Sequence, residues 1–386
     1  MKKVLVWETL ATVSGGQKMT LTVLDMLSGQ YEFCCMIPKE GMLSEELRKR
    51  NIPYILMGDQ TLPTGVKGWQ VAFRYGWMSI KNVCKSLKAI RRFKPDILYC
   101  PGPAALPWSA ICGTLAGRPV IWHLHHIFLD GATKKLLNLC GRWKSVRTII
   151  AVSNCVGDQI VNEKAHKKIK VLYNPVDVEK YANGNPEKIL AEIENTLGRQ
   201  ITKGKTIILT HIGAITKNKC QIVFVKTIHE IKKRGIDVIG LMIGDVITDA
   251  DREYKKSIDS YIKDNELKDN LYAPGFRKDI ADILAASNCV LVPSSEGMPL
   301  TVLEAMCAKR RVVGMDTGGS NEVIKKAHCG EVYPADGTEK DIADAIFRAM
   351  EKQTEDILEK GYEFCCKQDI DNYKKLLTVV FLNSEN

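Results

Sequence analysis

The sequence predicts an α/β fold built from two doubly wound, Rossmann-like domains, and three observations lead to this prediction. The chain has 386 residues, which exceeds the size of one ordinary hydrophobic core. Short apolar or β-branched runs alternate with segments of helical period in two separate series. A polar segment over residues 174–205, rich in turn-forming residues, lies between the two series and predicts a domain junction.

The first series predicts a sheet of parallel strands covered by helices, because its strands are apolar throughout. Strands are predicted over residues 3–7, 32–37, 96–100, 119–123 and 148–152, and helices over residues 17–27 and 43–50. The first domain is therefore expected to span residues 1–174.

The second series repeats the same alternation. Strands are predicted over residues 206–212, 238–243, 271–273, 290–292 and 311–315, and helices over residues 221–234, 279–286 and 300–308. The second domain is expected to span residues 175–362. Two such domains are expected to hold a ligand cleft between them, at the carboxyl ends of their strands.

The charge of the chain is divided unevenly between these two halves. Residues 1–174 hold 25 Lys and Arg against 11 Asp and Glu, a net charge of +14, and the remaining residues hold 30 against 34, a net charge of −4. This asymmetry indicates that the first half faces an anionic partner, such as nucleic acid, an acidic lipid surface or a phosphorylated substrate. No nucleic-acid recognition motif accompanies the charge, so we expect no nucleic-acid partner.

The termini and cysteines predict a cytoplasmic protein. The first residues lack the long apolar stretch of a signal peptide, and no segment reaches the length of a membrane span. The 13 cysteines form neither a C-x-x-C pair nor a zinc-ligand spacing, so reduced core thiols are the expected state.

The segment over residues 290–308 carries the strongest functional signal. A strand ends at Pro293, a short loop leads to Pro299 as the expected first helical residue, and a helix follows. The free N–H groups of such a helix start bind anions. Glu296 before the helix and Glu304 within it suit hydroxyl pairs, because one carboxylate accepts two hydrogen bonds. The alternative is two solvated glutamates beside an ordinary helix.

This segment, Glu-Gly-Met-Pro-Leu-Thr-Val-Leu-Glu-Ala-Met-Cys-Ala, resembles the signature of the retaining glycosyltransferases of family four, which have the GT-B fold. The resemblance extends from Tyr272-Ala-Pro-Gly-Phe-Arg to Gly318-Gly-Ser-Asn-Glu. It implies that Glu296 approaches the donor sugar and Glu304 holds the ribose. It also implies that Gly297, Met298, Pro299, Leu300 and Thr301 line the diphosphate. A final helix over residues 363–386 is expected to pack back on the first domain.

A second segment, His211-Ile-Gly-Ala-Ile-Thr-Lys-Asn-Lys-Cys-Gln, resembles the family's Gly-Arg…Lys-Gly motif. Gly213 permits a tight turn, and Lys219 is positioned to reach a phosphate at a helix start. A solvated lysine is the alternative. Ala214 stands where the family has arginine, and Cys220 stands in place of the second glycine. The loss of the arginine puts the strength of leaving-group stabilisation in doubt.

Further donor contacts are implied by the resemblance. Gly244 ends a strand near the nucleotide, and Arg277 is expected to stack on the base or bond to it. Gly15 and Gly16 form a loop expected against the donor diphosphate and the acceptor, with Lys18 as an acceptor-side candidate. Ordinary loop and turn roles are the alternatives for these residues.

The sequence Trp122-His-Leu-His-His ends a strand of the first domain. In the resembling family a histidine after this strand contacts the donor sugar, and His125 is the match. His126 stands where an acidic residue often follows in the family. Asn174, in the motif that closes the domain, is a second acceptor-side candidate.

Part of the positive charge of residues 1–174 lies in one segment of helical period. Lys81, Lys85, Lys88 and Arg92 fall on one helix face, preceded by Trp69, Phe73 and Trp77. Residues 69–94 therefore suit peripheral contact with an anionic membrane at its inner face. A solvated face of an ordinary helix fits the same pattern.

Asp249-Ala-Asp251 has the form of a metal-binding Asp-x-Asp, but it precedes a helix and is interpreted as a cap. We expect no metal and no cofactor. The expected function is retaining hexose transfer from a nucleotide sugar, UDP-linked in preference to GDP-linked, to a glycan or lipid-linked acceptor of a bacterial surface polysaccharide pathway. The alternatives are a nucleotide-sugar 2-epimerase and a non-catalytic partner subunit. Ala214 favours the non-catalytic subunit.

Overall fold

The computed structural model describes residues 1–58, 69–352 and 354–385, without the side chains of residues 69 and 72. The chain divides into two compact units, one of residues 1–174 with 371–386 and one of residues 175–370. Each unit contains a parallel sheet flanked by helices. The predicted α/β class with two Rossmann-like sheets is confirmed.

The described elements up to residue 174 follow in chain order. They are β1 (Lys2–Trp7), α1 (Gly15–Leu27), β2 (Tyr31–Ile37), α2 (Met42–Lys49), β3 (Tyr54–Leu56), α3 (Trp69–Phe93), β4 (Ile97–Cys100), α4 (Leu106–Ala116), β5 (Val120–Leu124), α5 (Gly131–Gly141), β6 (Val146–Ala151), α6 (Asn154–Gly157), α7 (Glu163–His166) and β7 (Ile169–Val171).

The described elements of the remaining chain complete both units. They are α8 (Val178–Ala182), α9 (Glu187–Leu197), β8 (Ile207–Ile212), α10 (Gln221–Lys233), β9 (Val238–Ile243), α11 (Asp249–Asp264), β10 (Leu271–Gly275), α12 (Ile280–Ala286), β11 (Cys289–Val292), α13 (Leu300–Cys307), β12 (Arg311–Met315), α14 (Gly318–Ala327), β13 (Glu331–Tyr333), α15 (Glu339–Lys352), α16 (Glu355–Cys366) and α17 (Ile370–Ser384).

In the first unit, the described strands form a sheet in the order β3-β2-β1-β4-β5-β6-β7. The chain leaves β1 in one direction along the sheet and returns on its other side with β4, so the carboxyl ends of β1 and β4 flank the crevice where such sheets bind ligands. Helix α17 belongs to this unit. Its Tyr373, Leu377 and Phe381 are buried in the core of the sheet.

In the second unit, the described strands form a sheet in the order β10-β9-β8-β11-β12-β13. The order reverses between β8 and β11, so the ligand crevice of this unit is expected at the carboxyl ends of these two strands. Strands β8 and β11 are buried almost throughout because helices cover both faces of the sheet.

Two parts of the predicted organisation differ from the structure. The segment interpreted as a polar junction contains α9, whose Ile189 and Ile193 are fully buried in a core of the second unit. Polar residues outnumber apolar residues in α9, so its narrow apolar stripe did not indicate a buried helix in the sequence. The single final helix expected over residues 363–386 is instead the end of α16 followed by α17, and three residues separate the two helices.

Candidate functional site

The loop after β8 is held by tight backbone contacts. The Gly213 amide donates to the Ile243 carbonyl at 2.9 Å. An added Cβ at Gly244, where φ is +143°, would lie 2.0 Å from the Gly213 carbonyl oxygen. Gly244 therefore allows the ends of β8 and β9 to approach backbone to backbone. An added Cβ at Gly213 would meet only side-chain carbons of Lys219, at 3.4 Å or more, so the fold does not require glycine there.

Lys219 lies at the end of a short 3-10 turn, Lys217–Lys219, directly before α10. Its Nζ lies 2.5 Å from Oε2 of Glu296, and both side chains are about one-quarter to one-third exposed. The Ser294 hydroxyl donates to the other carboxylate oxygen of Glu296 at 2.7 Å. The structure thus brings together two of the predicted catalytic residues at the carboxyl ends of β8 and β11.

Cys220 has a left-handed backbone, with φ of 58°. This conformation favours glycine, because a Cβ crowds the neighbouring carbonyl. The structure therefore gives a physical reason for a glycine in the resembling motif and shows that this chain accepts the backbone strain with a cysteine instead.

The loop between β11 and α13 is fixed by a second pair of glycines. The Gly319 amide donates to the Glu296 carbonyl at 2.7 Å, and an added Cβ at Gly319 would lie 2.1 Å from the Gly297 carbonyl oxygen. At Gly318, φ is +69° and an added Cβ would lie 2.7 Å from the Glu296 carbonyl oxygen. Only residues without side chains allow α14 to begin this close to the loop.

Helix α13 begins at Leu300, the first residue of the helix predicted over residues 300–308. Pro299 has φ of −73° and ψ of 118°, so it precedes the helix as its N-cap and is not the first helical residue. Met298 and Pro299 are buried, while Leu300 and Thr301 are half-buried in the first turn. The first amides of a helix have no intrahelical acceptor, so this turn is a potential phosphate site beside Lys219 and Glu296.

Glu304 lies on the next turn of α13 and accepts a hydrogen bond from Tyr181 of α8 at 2.8 Å. Tyr181 is 9% exposed. Burial, together with the neighbouring Glu304, raises the pKa of the phenol, so Tyr181 acts as a permanent donor. The sequence analysis missed Tyr181, because nothing in its local pattern indicates a partner 123 positions away.

Arg277 lies in a network of acidic side chains. Its guanidinium donates to Asp279 at 2.8 and 2.6 Å and to Glu192 at 2.6 and 3.1 Å, and a fifth bond of 3.1 Å goes to the Tyr272 hydroxyl. The hydrogen bonds that Arg277 donates to Asp279 and Glu192 raise the pKa of its guanidinium. All five N–H donors are used, so of the two predicted contacts with a base only stacking is compatible with this arrangement.

Phe276 precedes Arg277 and is 67% exposed. It follows Gly275, where φ is +87°, so the strand ends in a turn that presents an aromatic ring. Phe276 is a second surface on which a planar base can stack.

In the first unit, Gly15 and Gly16 open helix α1 after the N-cap Ser14. Neither glycine has a positive φ. An added Cβ at Gly15 would meet nothing within 4 Å, and at Gly16 it would only reach Nε2 of His126 at 4.0 Å. The fold therefore does not require glycine at these positions, and the open backbone is accessible to a substrate. Lys18 is exposed on the same turn.

The three histidines at the end of β5 differ in their surroundings. His123 is fully buried, its Nδ1 lies 2.6 Å from the Tyr99 hydroxyl, and burial lowers its pKa to about 3. The ring of His125 lies 4.1 Å from that of His123. Burial and the two neighbouring histidines lower the pKa of His125 well below its usual value, so His125 is neutral at pH 7.

Nε2 of His125 is buried and has no hydrogen-bond partner among the described residues. A neutral imidazole nitrogen in this state can bond to a sugar hydroxyl but carries no charge to stabilise a phosphate. Asn174, the acceptor-side candidate, is buried at the end of the first unit.

Helix α3 presents an exposed apolar stripe that the sequence analysis identified only in part. Phe73, Trp77 and Ile80 are 77%, 58% and 60% exposed. The Lys81 ammonium lies 5.1 Å from the Trp77 ring centre, and Lys85 donates to the Met57 carbonyl at 2.6 Å. The side chain of Trp69 lies outside the described residues. Within the described chain, no helix has the length and apolar character needed to cross a bilayer.

The Asp249-Ala-Asp251 segment caps α11. Thr248 is the N-cap, and its backbone amide and hydroxyl donate to Asp251 at 2.9 and 2.7 Å. In the part of the chain that the structure describes, no three His, Cys, Asp or Glu residues are arranged to hold a metal ion.

Comparison with known families agrees with this geometry. A model described as Glycosyl transferases group 1 matches residues 193–363. A model described as Glycosyltransferase Family 4 matches residues 14–180. The two matches fall on different parts of the chain and together include the loops that carry the candidate residues.

Known proteins resemble the chain along most of its length. It is 27% identical over 308 residues to Escherichia coli UDP-Gal:alpha-D-GlcNAc-diphosphoundecaprenol alpha-1,3-galactosyltransferase, covering 76% of this chain and 75% of that protein. Anabaena HepE in complex with UDP superimposes with a TM-score of 0.80 at 18% identity, covering 99% of this chain and 100% of HepE. The lipopolysaccharide outer core galactosyltransferase WaaB superimposes with a TM-score of 0.71 at 16% identity, covering 99% of each chain. These likenesses confirm the predicted GT-B fold.

Proposed function

The chain belongs to the glycosyl transferases of group 1, and from this membership we propose that it transfers a hexose from a UDP-sugar to a lipid-linked or glycan acceptor with retention of configuration. Hexosyltransferase activity is supported by two relatives, one named as a galactosyltransferase and one as a kanosaminyltransferase. The observation that carries the proposal is the 2.5 Å contact between Lys219 and Glu296, which joins a phosphate-binding cation and a sugar-binding acid at the start of α13.

This contact supports a proposed position for the reacting bond of the donor. A carboxylate binds sugar hydroxyls, and an ammonium with helix N–H groups binds phosphate. The bond between the anomeric carbon and the phosphate oxygen therefore lies where Glu296 and Lys219 meet. Glu304 takes the ribose hydroxyls on the next turn of the same helix, held in place by Tyr181.

In the proposed reaction, this bond breaks as negative charge develops on the β-phosphate. Lys219 and the first amides of α13 stabilise that charge. The acceptor hydroxyl attacks from the same face, and the leaving phosphate accepts its proton. Because Ala214 supplies no charge, the proposal assigns this stabilisation to Lys219, which contacts Glu296. His125 contributes as a neutral hydrogen-bonding group to the sugar.

We propose that the donor binds without a metal ion, because Lys219 and the helix start supply positive charge to the diphosphate. The two aspartates that resemble a metal motif cap α11 instead. Unchanged transfer in the presence of a chelator is the expected result. Loss of transfer that added Mg²⁺ or Mn²⁺ restores would refute metal independence.

UDP is the proposed nucleotide, because Anabaena HepE binds UDP and UDP-glucose and the Escherichia coli relative is named for transfer from UDP-Gal. That relative's acceptor is a diphosphate-linked lipid. A lipid-linked acceptor fits the net charge of +14 over residues 1–174 and the exposed apolar stripe of α3. The proposal therefore includes peripheral contact between α3 and an anionic membrane.

The test begins with thermal unfolding in the presence of UDP, GDP, UDP-galactose and UDP-glucose, since a ligand that binds only the folded state raises the midpoint. The nucleotide sugar that stabilises the protein is then incubated with a polyprenyl-diphosphate-linked GlcNAc. Formation of a disaccharide with the α configuration, assigned by NMR, is the expected result.

Three outcomes contradict parts of this proposal. Stabilisation by GDP and not UDP overturns the nucleotide. A β-linked product overturns retention. An epimerised free sugar without transfer identifies an epimerase, and binding without turnover on any tested acceptor identifies a non-catalytic subunit.

A further inference from the structure

A buried acid outside the predicted site lies at the end of β1. Glu8 directly follows the strand, and its amide donates to the Met36 carbonyl at 3.0 Å, which extends the pairing of β1 with β2. The residue is 2% exposed, and burial raises the pKa of its carboxyl group. Burial of a carboxylate is costly unless its oxygens are hydrogen-bonded, so its partners identify its role.

Both carboxylate oxygens of Glu8 bind side chains of α1. Thr20 donates its hydroxyl to Oε1, and Gln17 donates Nε2 to Oε2 at 3.0 Å. Gln17 is 3% exposed and Thr20 is 1% exposed, so water does not compete for these bonds. The start of α1 is thereby attached to the end of β1.

Gln17 also accepts hydrogen bonds from Ser14, the residue before the two glycines. Its Oε1 accepts the Ser14 hydroxyl at 2.5 Å and the Ser14 amide at 3.4 Å. Because an amide side chain has one donating and one accepting end, the donation to Glu8 fixes which end faces Ser14. The carboxylate of Glu8 therefore sets the orientation of Gln17, and Gln17 sets the conformation of the residue before Gly15 and Gly16.

We propose that Glu8 is a positioning residue that, through Gln17, holds the turn of Ser14, Gly15 and Gly16 in the conformation that receives substrate. This rests on the proposed function and on the substrate contact that the family resemblance implies for Gly15 and Gly16, whose backbone is open. Glu8 is not a catalytic residue, because it is buried and both of its oxygens are occupied. The hydrogen bonds from Glu8 through Gln17 to Ser14 restrain the backbone at two glycines, the residue type with the greatest backbone freedom.

Two substitutions break this connection in different places. Glu8→Leu removes the acceptor for Gln17, and Gln17→Met removes the link itself with nearly the same side-chain length. In each variant, we expect amide hydrogen exchange over residues 14–19 to become faster by about tenfold, the factor for one lost hydrogen bond. Transfer should fall by a similar factor. The double variant should show no further change, since both substitutions interrupt one path.

Glu8→Gln is the discriminating variant. Its side-chain oxygen accepts from Gln17, and its nitrogen donates to the Thr20 hydroxyl, which can turn to the Gly16 carbonyl 3.3 Å away. A positioning role therefore predicts nearly normal exchange and transfer in Glu8→Gln. Loss of transfer equal to that of Glu8→Leu would mean that the charge itself is used, and this would overturn the proposal.

Ser86→Ala is the matched control, because Ser86 is fully buried and accepts a 3.0 Å hydrogen bond from Trp7 beside Glu8. It removes a buried bond of the same unit that does not lead to the turn, so exchange over residues 14–19 should be unchanged. Unchanged exchange in Glu8→Leu would also overturn the proposal. Exchange is measured on the free protein, so absence of transfer by the natural chain would contradict the proposed function and leave the test of Glu8 intact.

Discussion

Lys219 is the residue on which the proposed chemistry depends most, because Ala214 supplies no second charge. Lys219→Ala should lower turnover about 100- to 1,000-fold, the usual effect of removing one group that stabilises developing negative charge. The midpoint of thermal unfolding should change little, since the Lys219 side chain is 31% exposed. Steady-state transfer kinetics measure the first effect and scanning calorimetry the second.

Lys226→Ala provides the control for this prediction. Lys226 is a half-buried lysine of α10 that pairs with Glu339 at 3.4 Å, so its removal takes one positive charge from the helix that follows Lys219, away from the site. Near-normal turnover in Lys219→Ala, or an equal loss in Lys226→Ala, would contradict the assignment of Lys219.

Tyr181 defines a second prediction for a single residue. Tyr181→Phe removes only the hydroxyl that donates to Glu304 at 2.8 Å. A hydrogen bond to a carboxylate contributes about 1.5–3 kcal/mol, and in the proposed binding mode part of this orients Glu304 toward the ribose. UDP should therefore bind about tenfold more weakly in isothermal titration calorimetry.

The kinetics of Tyr181→Phe test whether Tyr181 acts in donor binding or in the chemical step. The Michaelis constant for the donor should rise while the turnover number stays within about threefold, because the ribose contact is made equally in ground and transition states. A fall in turnover number at unchanged donor affinity would place Tyr181 in the chemical step and contradict the ribose role of Glu304.

At the scale of elements, two helix starts use glycine for different physical reasons. At α1, an alanine side chain at Gly15 meets nothing, while at α14 an alanine at Gly319 would lie 2.1 Å from a backbone oxygen. Gly15→Ala should therefore fold with normal stability but lose transfer, because the new methyl group occupies space that we assign to substrate.

Gly319→Ala should behave in the opposite way. Its Cβ forces α14 away from the Glu296 loop, so the free energy of unfolding should fall by about 1–3 kcal/mol, and UDP binding should weaken with it. Chemical denaturation and calorimetry on both variants test the pair. Destabilisation by Gly15→Ala, or normal stability in Gly319→Ala, would contradict this distinction.

Helix α3 combines exposed apolar side chains with basic ones, so we predict that it binds anionic membranes. Lys81→Ala with Lys88→Ala should lower binding to vesicles containing anionic lipid about thirtyfold, since each basic residue near such a surface contributes about 1 kcal/mol. Sedimentation with phosphatidylglycerol vesicles measures this. Lys203→Ala with Lys205→Ala is the control, with the same charge change at exposed positions of the second unit.

At the scale of the whole molecule, buried neutral histidines connect stability to pH. Burial lowers the pKa of His211 to about 4, below the value near 6.5 of an unfolded chain. Between pH 6.5 and 4 the unfolded state binds a proton that the folded state does not. The stability is therefore complete above pH 6.5 and is lost progressively as the pH falls toward 4.

For His211 alone, the difference between these two pKa values corresponds to about 3 kcal/mol as an upper limit. His211→Asn should reduce the loss of thermal stability between pH 7 and pH 4.5 relative to the natural chain. Thermal unfolding at both pH values measures the effect. An equal loss of stability in both proteins would show that His211 does not contribute to the acid sensitivity.

The sequence predicted the strands of the fold from apolar runs between turn residues, a pattern that depends only on nearby residues. Strands β1, β8 and β9 were predicted to within a residue or two, because an apolar run between turn residues leaves few alternatives. Helices such as α9 were missed where a narrow apolar stripe lies among charged residues. Their burial depends on a partner surface that no local window contains.

For the candidate site, the sequence by itself determined the strand, short loop and helix start over residues 290–308 that we propose as the donor segment, since they occur in one continuous stretch. The contacts that define the site were decided only by the tertiary structure. Lys219 meets Glu296 across 77 positions, Tyr181 meets Glu304 across 123, and Glu8 reaches Gln17 from the preceding strand. Parallel sheets bring the ends of separated strands to one edge, and the partner of a polar side chain there is set by that geometry and not by its neighbours in sequence.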